Sequence, residues 1–180
     1  MNMPNKLTVS RVFLVPIFVW LLLESNIPSN FLWAGIIFLI AGITDHLDGI
    51  LARKYFQVTD FGKFADPIAD KILTLSAFLC FIELKIINCV PVIIILSREF
   101  IVTSLRLALV REEKKIICAN FWGKIKTVAQ ISFVLLTLLL KHFGILDSFF
   151  LNLAIWHVAI ITLISGMIYV VQNRKFLNFN

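Results

Sequence analysis

Charge is scarce in this sequence. Only 16% of its 180 residues are Asp, Glu, Lys or Arg, whereas 59% are hydrophobic and mean hydropathy reaches +0.92. Soluble domains average nearer ~45–50% apolar and ~25% charged. A fold in water could not hide so much apolar surface, so the shortage points to lipid as the solvent. Cysteine is scarce too. Cys80, Cys89 and Cys118 form no CxxC pair, and an odd number builds no disulfide framework. Each lies in or beside an apolar segment and reads as a small buried hydrophobe. No repeat, low-complexity tract or interdomain linker breaks the chain, so residues 1–180 read as one domain.

Acidic residues are the rarer sign, 11 against 17 Lys and Arg, for a net charge of +6. In a soluble protein that surplus could serve nucleic acid. Here no exposed segment interleaves Arg with aromatics, and no nucleic-acid partner is expected. Cytoplasmic loops and anionic lipid headgroups account for the surplus instead. A cleavable leader is not expected either. Lys6 and Arg11 precede an apolar run from Val12 to Leu23, but Glu24 to Pro28 offers no small-x-small cleavage site and more apolar runs follow.

Those runs fall at 12–23, 31–52, 67–84, 88–110, 121–141 and 149–172. A transmembrane helix needs roughly 20 residues, so the chain has room for about six. The first run is short, and residues 4–11 can extend it along the membrane interface. The expected fold is all-α: a polytopic membrane protein of six transmembrane helices with an N-terminal interfacial segment. Lys and Arg set its orientation. Lys6, Arg11, Arg53, Lys54, Lys63, Arg111, Lys114, Lys115, Lys124, Lys126, Arg174 and Lys175 fall on one side, with only Lys85 and Lys141 opposite. Both termini are therefore expected in the cytoplasm, in a multi-pass protein of the cytoplasmic membrane. Trp33, Trp122 and Trp156 suit either interfaces or ordinary packing.

The informative stretch is Asp45-His46-Leu47-Asp48-Gly49-Ile50-Leu51-Ala52-Arg53, followed by Gly62-Lys63-Phe64-Ala65-Asp66-Pro67-Ile68-Ala69-Asp70. Helical residues three or four apart share a face, so Asp45 pairs with Asp48 and Asp66 with Asp70. Span two would end on the first pair and span three begin on the second, with Pro67 in the first helical turn, where its missing N–H costs little. A short loop would turn both pairs to the same side. Four carboxylates in an apolar setting repel and are costly as ions. Hard divalent cations with oxygen ligands offset this, and two such ions on shared carboxylates can bind a diphosphate. Gly49 and Gly62 would allow close backbone approach, Ala52 keeps that wall thin, and Arg53 offers a fork for phosphate. One pair alone could equally be solvated charge at a loop end. Two pairs on neighbouring helix ends, with glycines between, are hard to explain that way.

The pattern Asp45-x-x-Asp48-Gly49-x-x-Ala52-Arg53, eight residues, then Gly62-x-x-x-Asp66-x-x-x-Asp70 resembles the complete signature of the CDP-alcohol phosphotransferases. Its eight defined positions at fixed spacing make it specific. Further stretches resemble the branch whose acceptor is glycerol 3-phosphate: Asn5 to Arg11, Phe61 to Lys71, Arg98-Glu99-Phe100-Ile101 with Arg106, and Gly123-Lys124-Ile125-Lys126-Thr127. The last two spans match only in character. The resemblance implies transfer of a phosphatidyl group from CDP-diacylglycerol to sn-glycerol 3-phosphate, releasing CMP. It implies that Asp45, Asp48, Asp66 and Asp70 share two ions, Mg2+ or Mn2+, and that Asp70 is the general base. A nearby metal lowers a carboxylate's proton affinity, so ligand and base duties pull against each other at Asp70. By family position Thr8, Arg11, Gly49, Ala52, Arg53, Thr59 and Gly62 would contact CDP-diacylglycerol. A homodimer in membrane lipid is a further expectation of the resemblance.

Arg98, Arg106, Lys124 and Lys126 are candidates for the acceptor's phosphate. Arg98 and Arg106 would stand two turns apart, roughly 12 Å along one helix. The plainer reading is snorkelling or pairing, Arg98 with Glu99 or with the aspartates. His46 sits in a variable position of the signature, and imidazole suits softer metals. His142 and His157 read as packing or interface residues, Lys71 as charge balance, and Arg111 to Lys115 as a solvated loop. Two other functions compete. A sister enzyme would use another alcohol, such as serine, inositol phosphate or phosphatidylglycerol. A small transporter with an acidic ion site would need polar groups through the bilayer depth, and would not need the glycine and arginine spacing.

Overall fold

A computed structural model of the chain describes the backbone of residues 3–54, 60–111, 121–145 and 147–174, and the side chains of 10–44, 71–107, 121–145 and 147–174. Among the described residues six helices follow one another: α1 (Met3–Leu23), α2 (Asn30–Lys54), α3 (Asp60–Glu83), α4 (Cys89–Arg111), α5 (Phe121–His142) and α6 (Ser148–Asn173). No strand occurs among the described residues, as expected for an all-α chain. Helices satisfy their backbone polar groups internally, which lipid demands.

Local chemistry ends them where the apolar runs end. The Asp147 carboxylate caps α6, accepting a bond from the Phe149 N–H at 3.1 Å. Gly144, with φ of 66°, closes α5 in a Schellman turn: its N–H reaches the Lys141 carbonyl and the Ile145 N–H reaches that of Leu140. Lys85 takes the same left-handed place after α3, with φ of 56°. Here a non-glycine residue bears the cost of that conformation.

One boundary follows the sequence reading, the extension of the first helix through residues 4–11, and one departs from it. α1 is one continuous helix from Met3, with Pro16 inside it. α3 starts at Asp60, so Pro67 stands seven residues past the helix start rather than in its first turn. The Lys63 carbonyl, four residues earlier, thus receives no backbone bond from it. Apolar runs mark where hydropathy is high, whereas helical bonding continues through the polar residues at their ends.

The helices gather into two compact units, residues Met1–Lys85 with Val134–Leu146, and Ile86–Phe133 with Asp147–Asn180. In the first, α1 packs against both α2 and α3. Phe18 and Phe38 meet across α1 and α2 with ring centroids 5.9 Å apart. Ala34, Ala41 and Ala77 are fully buried beside Leu22, Phe78 and Phe81. Such small residues let membrane helices approach closely, where lipid offers no hydrophobic drive to pair. In the second unit α4 packs on α6 around Val92, Ile95, Ile155 and Ala159. The Asn88 N–H donates to Asn152 Oδ1 at 2.7 Å, fastening the start of α4 to α6.

Exposure is inverted relative to a protein built for water. Phe13, Trp20, Ile43, Phe100, Val128 and Met167 are exposed, while Arg11, Arg98, Glu99, Gln130, Thr162 and Ser165 are buried. Apolar patches this extensive mark a lipid surface. α5 and α6 are each long and apolar enough to cross a bilayer, and the described parts of α1 and α2 form shorter apolar helices. The protein is membrane-associated. Cys80 is buried as expected, but Cys89 is exposed. It opens α4 on an outward face, and an apolar sequence neighbourhood does not fix which face a residue takes. Cys118 lies outside the described residues.

Candidate active site

Helix α2 carries Asp45, Asp48, Gly49, Ala52 and Arg53 in its last three turns. Gly62, Asp66 and Asp70 fall within the first eleven residues of α3. Each aspartate pair is therefore set one turn apart on a helix, with a linker of residues 55–59 joining the two elements. The side chains of these residues, and of Thr8, lie outside the described set, as does Thr59 altogether. The donor set nevertheless has the chemistry of a hard-cation site: four carboxylates, no thiol, at one-turn spacing. No group of metal-ligating side chains gathers among the described residues.

α1 supplies the scaffold shared by both aspartate helices. Arg11, near its start, is 2% exposed and is not without a partner. A guanidinium is buried at that depth only when paired, because its desolvation otherwise costs several kcal/mol, order of magnitude.

The second unit holds a polar cluster in full side-chain detail. Glu99 of α4 is 3% exposed. Its Oε1 accepts from Arg98 Nη1 at 3.1 Å and from Lys126 Nζ of α5, and Gln130 Nε2 approaches it at 3.5 Å. Arg98 Nη2 donates to Ser165 Oγ of α6 at 2.9 Å, and Gln130 Nε2 to Thr162 Oγ1 at 3.3 Å. One carboxylate thus binds α4 to α5, and one guanidinium binds α4 to α6. Arg106, two turns along α4, is exposed and places its guanidinium carbon 5.7 Å from the Tyr169 ring centroid, a cation–π contact. Lys124 is exposed.

Of the four basic candidates, then, the structure brings Arg98 and Lys126 to one carboxylate and leaves Arg106 and Lys124 outward. Arg98 has the Glu99 pairing that its sequence neighbour suggested. Gln130, Thr162, Ser165, Gly166 and Tyr169 escaped the sequence reading. Their signal was polar or small residues within otherwise apolar α5 and α6, which no spacing rule connects to Arg98. His157 bonds its own helix, with Nδ1 at 2.8 Å from the Leu153 carbonyl, and His142 stacks edge-on with Phe143.

A family model described as CDP-alcohol phosphatidyltransferase matches residues 1–169. The chain belongs to that family. Curated relatives named CDP-diacylglycerol–glycerol-3-phosphate 3-phosphatidyltransferase are similar along most of its length. One from Bacillus subtilis is 40% identical, covering 96% of this chain and 95% of its own. Another from Haemophilus influenzae is 44% identical over 72% of this chain and 71% of its own, and one from Rickettsia bellii is 36% identical over 97% of both. Membership makes the chain a transferase. The family's use of divalent metal ions agrees with the donor chemistry of the four aspartates.

Proposed function

We propose that this protein transfers the phosphatidyl group of CDP-diacylglycerol to sn-glycerol 3-phosphate, forming phosphatidylglycerol phosphate and CMP. The observation that carries this reading is the unbroken eight-position signature across α2 and α3, in a chain whose relatives bear that activity in their names. The acceptor's 1-hydroxyl oxygen attacks the β-phosphorus. A new P–O bond forms there, the P–O bond to the CMP phosphate breaks, and CMP leaves with that electron pair.

Asp70 takes the hydroxyl proton as the attack proceeds. Asp45, Asp48, Asp66 and Asp70 would hold two divalent ions, Mg2+ or Mn2+, which when bound supply positive charge against the diphosphate. Arg53 adds a fork for the same phosphates. Gly49, Ala52 and Gly62 leave the backbone open to the nucleotide, with Thr8, Arg11 and Thr59 completing the contacts to CDP-diacylglycerol. The acceptor's phosphate is assigned to the basic group Arg98, Arg106, Lys124 and Lys126. A neutral alcohol would have no use for such a group.

The same reading takes residues 1–180 as a single catalytic domain crossing the cytoplasmic membrane six times. Both termini and the aspartates face the cytoplasm, where both substrates are made available. Assembly as a homodimer belongs to the proposal and is checked by mass measurement in detergent.

The deciding assay follows CMP release from CDP-diacylglycerol by the purified protein in liposomes, with Mg2+ and a panel of alcohols. Release that depends on glycerol 3-phosphate is expected. Equal release without it, or preference for serine, inositol phosphate or phosphatidylglycerol, would reject the acceptor.

A further inference from the structure

Arg98 and Lys126 are two cations in an apolar bundle, and charges of one sign there repel and are expensive to bury. Both end on a single oxygen, Glu99 Oε1, and Gln130 Nε2 approaches that same atom. The carboxylate is therefore the common point from which a basic side chain of α4 and one of α5 are aimed. The stem of Arg98 is fixed on its other side by α6. A methyl group at Gly166 would stand 2.7 Å from Arg98 Cγ and 3.1 Å from its Nε, so this glycine makes the room in which the side chain lies.

With the guanidinium held at two of its nitrogens, by Glu99 and by Ser165, the third nitrogen is left over. Arg98 Nε has no hydrogen-bond partner among the described residues although Arg98 is only 8% exposed. The hydroxyl of Tyr169, 6% exposed and one turn beyond Ser165 on α6, is likewise unpartnered. Buried polar groups are nearly always bonded. Each of these two atoms is a donor of the kind an anionic oxygen satisfies.

We infer that Glu99 is a positioning residue for the acceptor site: it holds Arg98 and Lys126 in place for a phosphate group, with Gly166 as the backing that keeps Arg98 there. This rests on the reading that the acceptor carries a phosphate. Glu99 itself touches no substrate. Its negative charge lowers the local surplus, so it weakens attraction for anions in general. In exchange it keeps both cations stationary where one particular anion binds.

That trade gives the idea a sign that can fail. The test measures kcat, KM for glycerol 3-phosphate and KM for CDP-diacylglycerol in liposomes, for the full chain and for Glu99→Gln, Glu99→Asp and Gly166→Ala. Glu99→Gln and Gly166→Ala should each raise the glycerol 3-phosphate KM roughly tenfold or more, with the CDP-diacylglycerol KM kept within about twofold. Glu99→Asp should recover part of the loss. A glycerol 3-phosphate KM that falls in Glu99→Gln, as mere removal of a negative charge would give, overturns the inference. So does a parallel rise of both KM values, which a general loosening of the bundle would produce. Gly166→Ala leaves the carboxylate intact, and an unchanged acceptor KM in that variant overturns the inference even where Glu99→Gln fails to fold. Wild-type release that ignores glycerol 3-phosphate would remove the acceptor reading together with this one. Wild-type selectivity with unaffected variants would remove only the role of Glu99.

Discussion

Charge enters this apolar chain in two ways, one in each compact unit. On α2 and α3 acidic residues outnumber basic ones, with Asp45, Asp48, Asp66 and Asp70 at one-turn spacing and Arg53, Lys54, Lys63 and Lys71 offsetting only part of their charge. On α4, α5 and α6 it is mixed, with Arg98 and Lys126 sharing Glu99. A cluster with an acidic surplus is not neutral by itself and takes a partner from outside. A mixed cluster satisfies much of its own charge and stays ordered without a ligand. On the proposed reading the first region is completed by cations, whereas the second is ready beforehand.

The contrast breaks most sharply at Asp70. Replacement by Asn, or removal of divalent ions by chelation, should cut phosphatidyl transfer by ~10²–10⁴-fold, and Mg2+ should restore only the chelated protein. Activity in Asp70→Asn near that of the wild type would end its assignment as base. Next in size is a purely structural loss: Phe78→Ala, at a fully buried position of α3, should cost about 3–5 kcal/mol. Thermal unfolding in detergent reads it.

The same measurement separates the two clusters. In metal-free protein Asp48→Asn relieves repulsion and should leave the melting temperature unchanged or raised, whereas Glu99→Gln should lose roughly 2 kcal/mol of stability. Equal melting shifts of the same sign would erase the distinction. Smaller still, Ser165→Ala removes one bond to Arg98 Nη2 and should raise the acceptor KM by severalfold, the equivalent of about 1 kcal/mol. Cys89→Ser, on an exposed helix start, should stay within about 0.5 kcal/mol of the wild type in stability.

Helix number and family were legible because both are written in local spacing: apolar runs of near-bilayer length, and eight signature positions along two consecutive segments. The start of α3 was not legible, since Asp60 to Ala65 lack the hydropathy that marks a span yet continue the helix. Glu99 could be paired with Arg98 from adjacency alone. Lys126, Gln130, Thr162 and Ser165 could not be added, because contacts across 27 to 67 residues of chain depend on how the helices of that unit pack. The division is physical: motifs within a helix turn are read directly, whereas partners between helices need the bundle.

The packing of α1 against both α2 and α3 has a consequence for how the protein is made. α1 leaves the ribosome first, yet its contacts with α3 join segments separated by the whole of α2. It must remain available for packing until two further helices have followed it. The aspartate helices thus acquire their common support only after residue 83 has been synthesised. A stall or a slowed insertion before that point leaves the first two helices without the third, and exposes the small-residue faces at Ala34 and Ala41 to the wrong neighbours. The order of synthesis is a condition for assembling the catalytic framework.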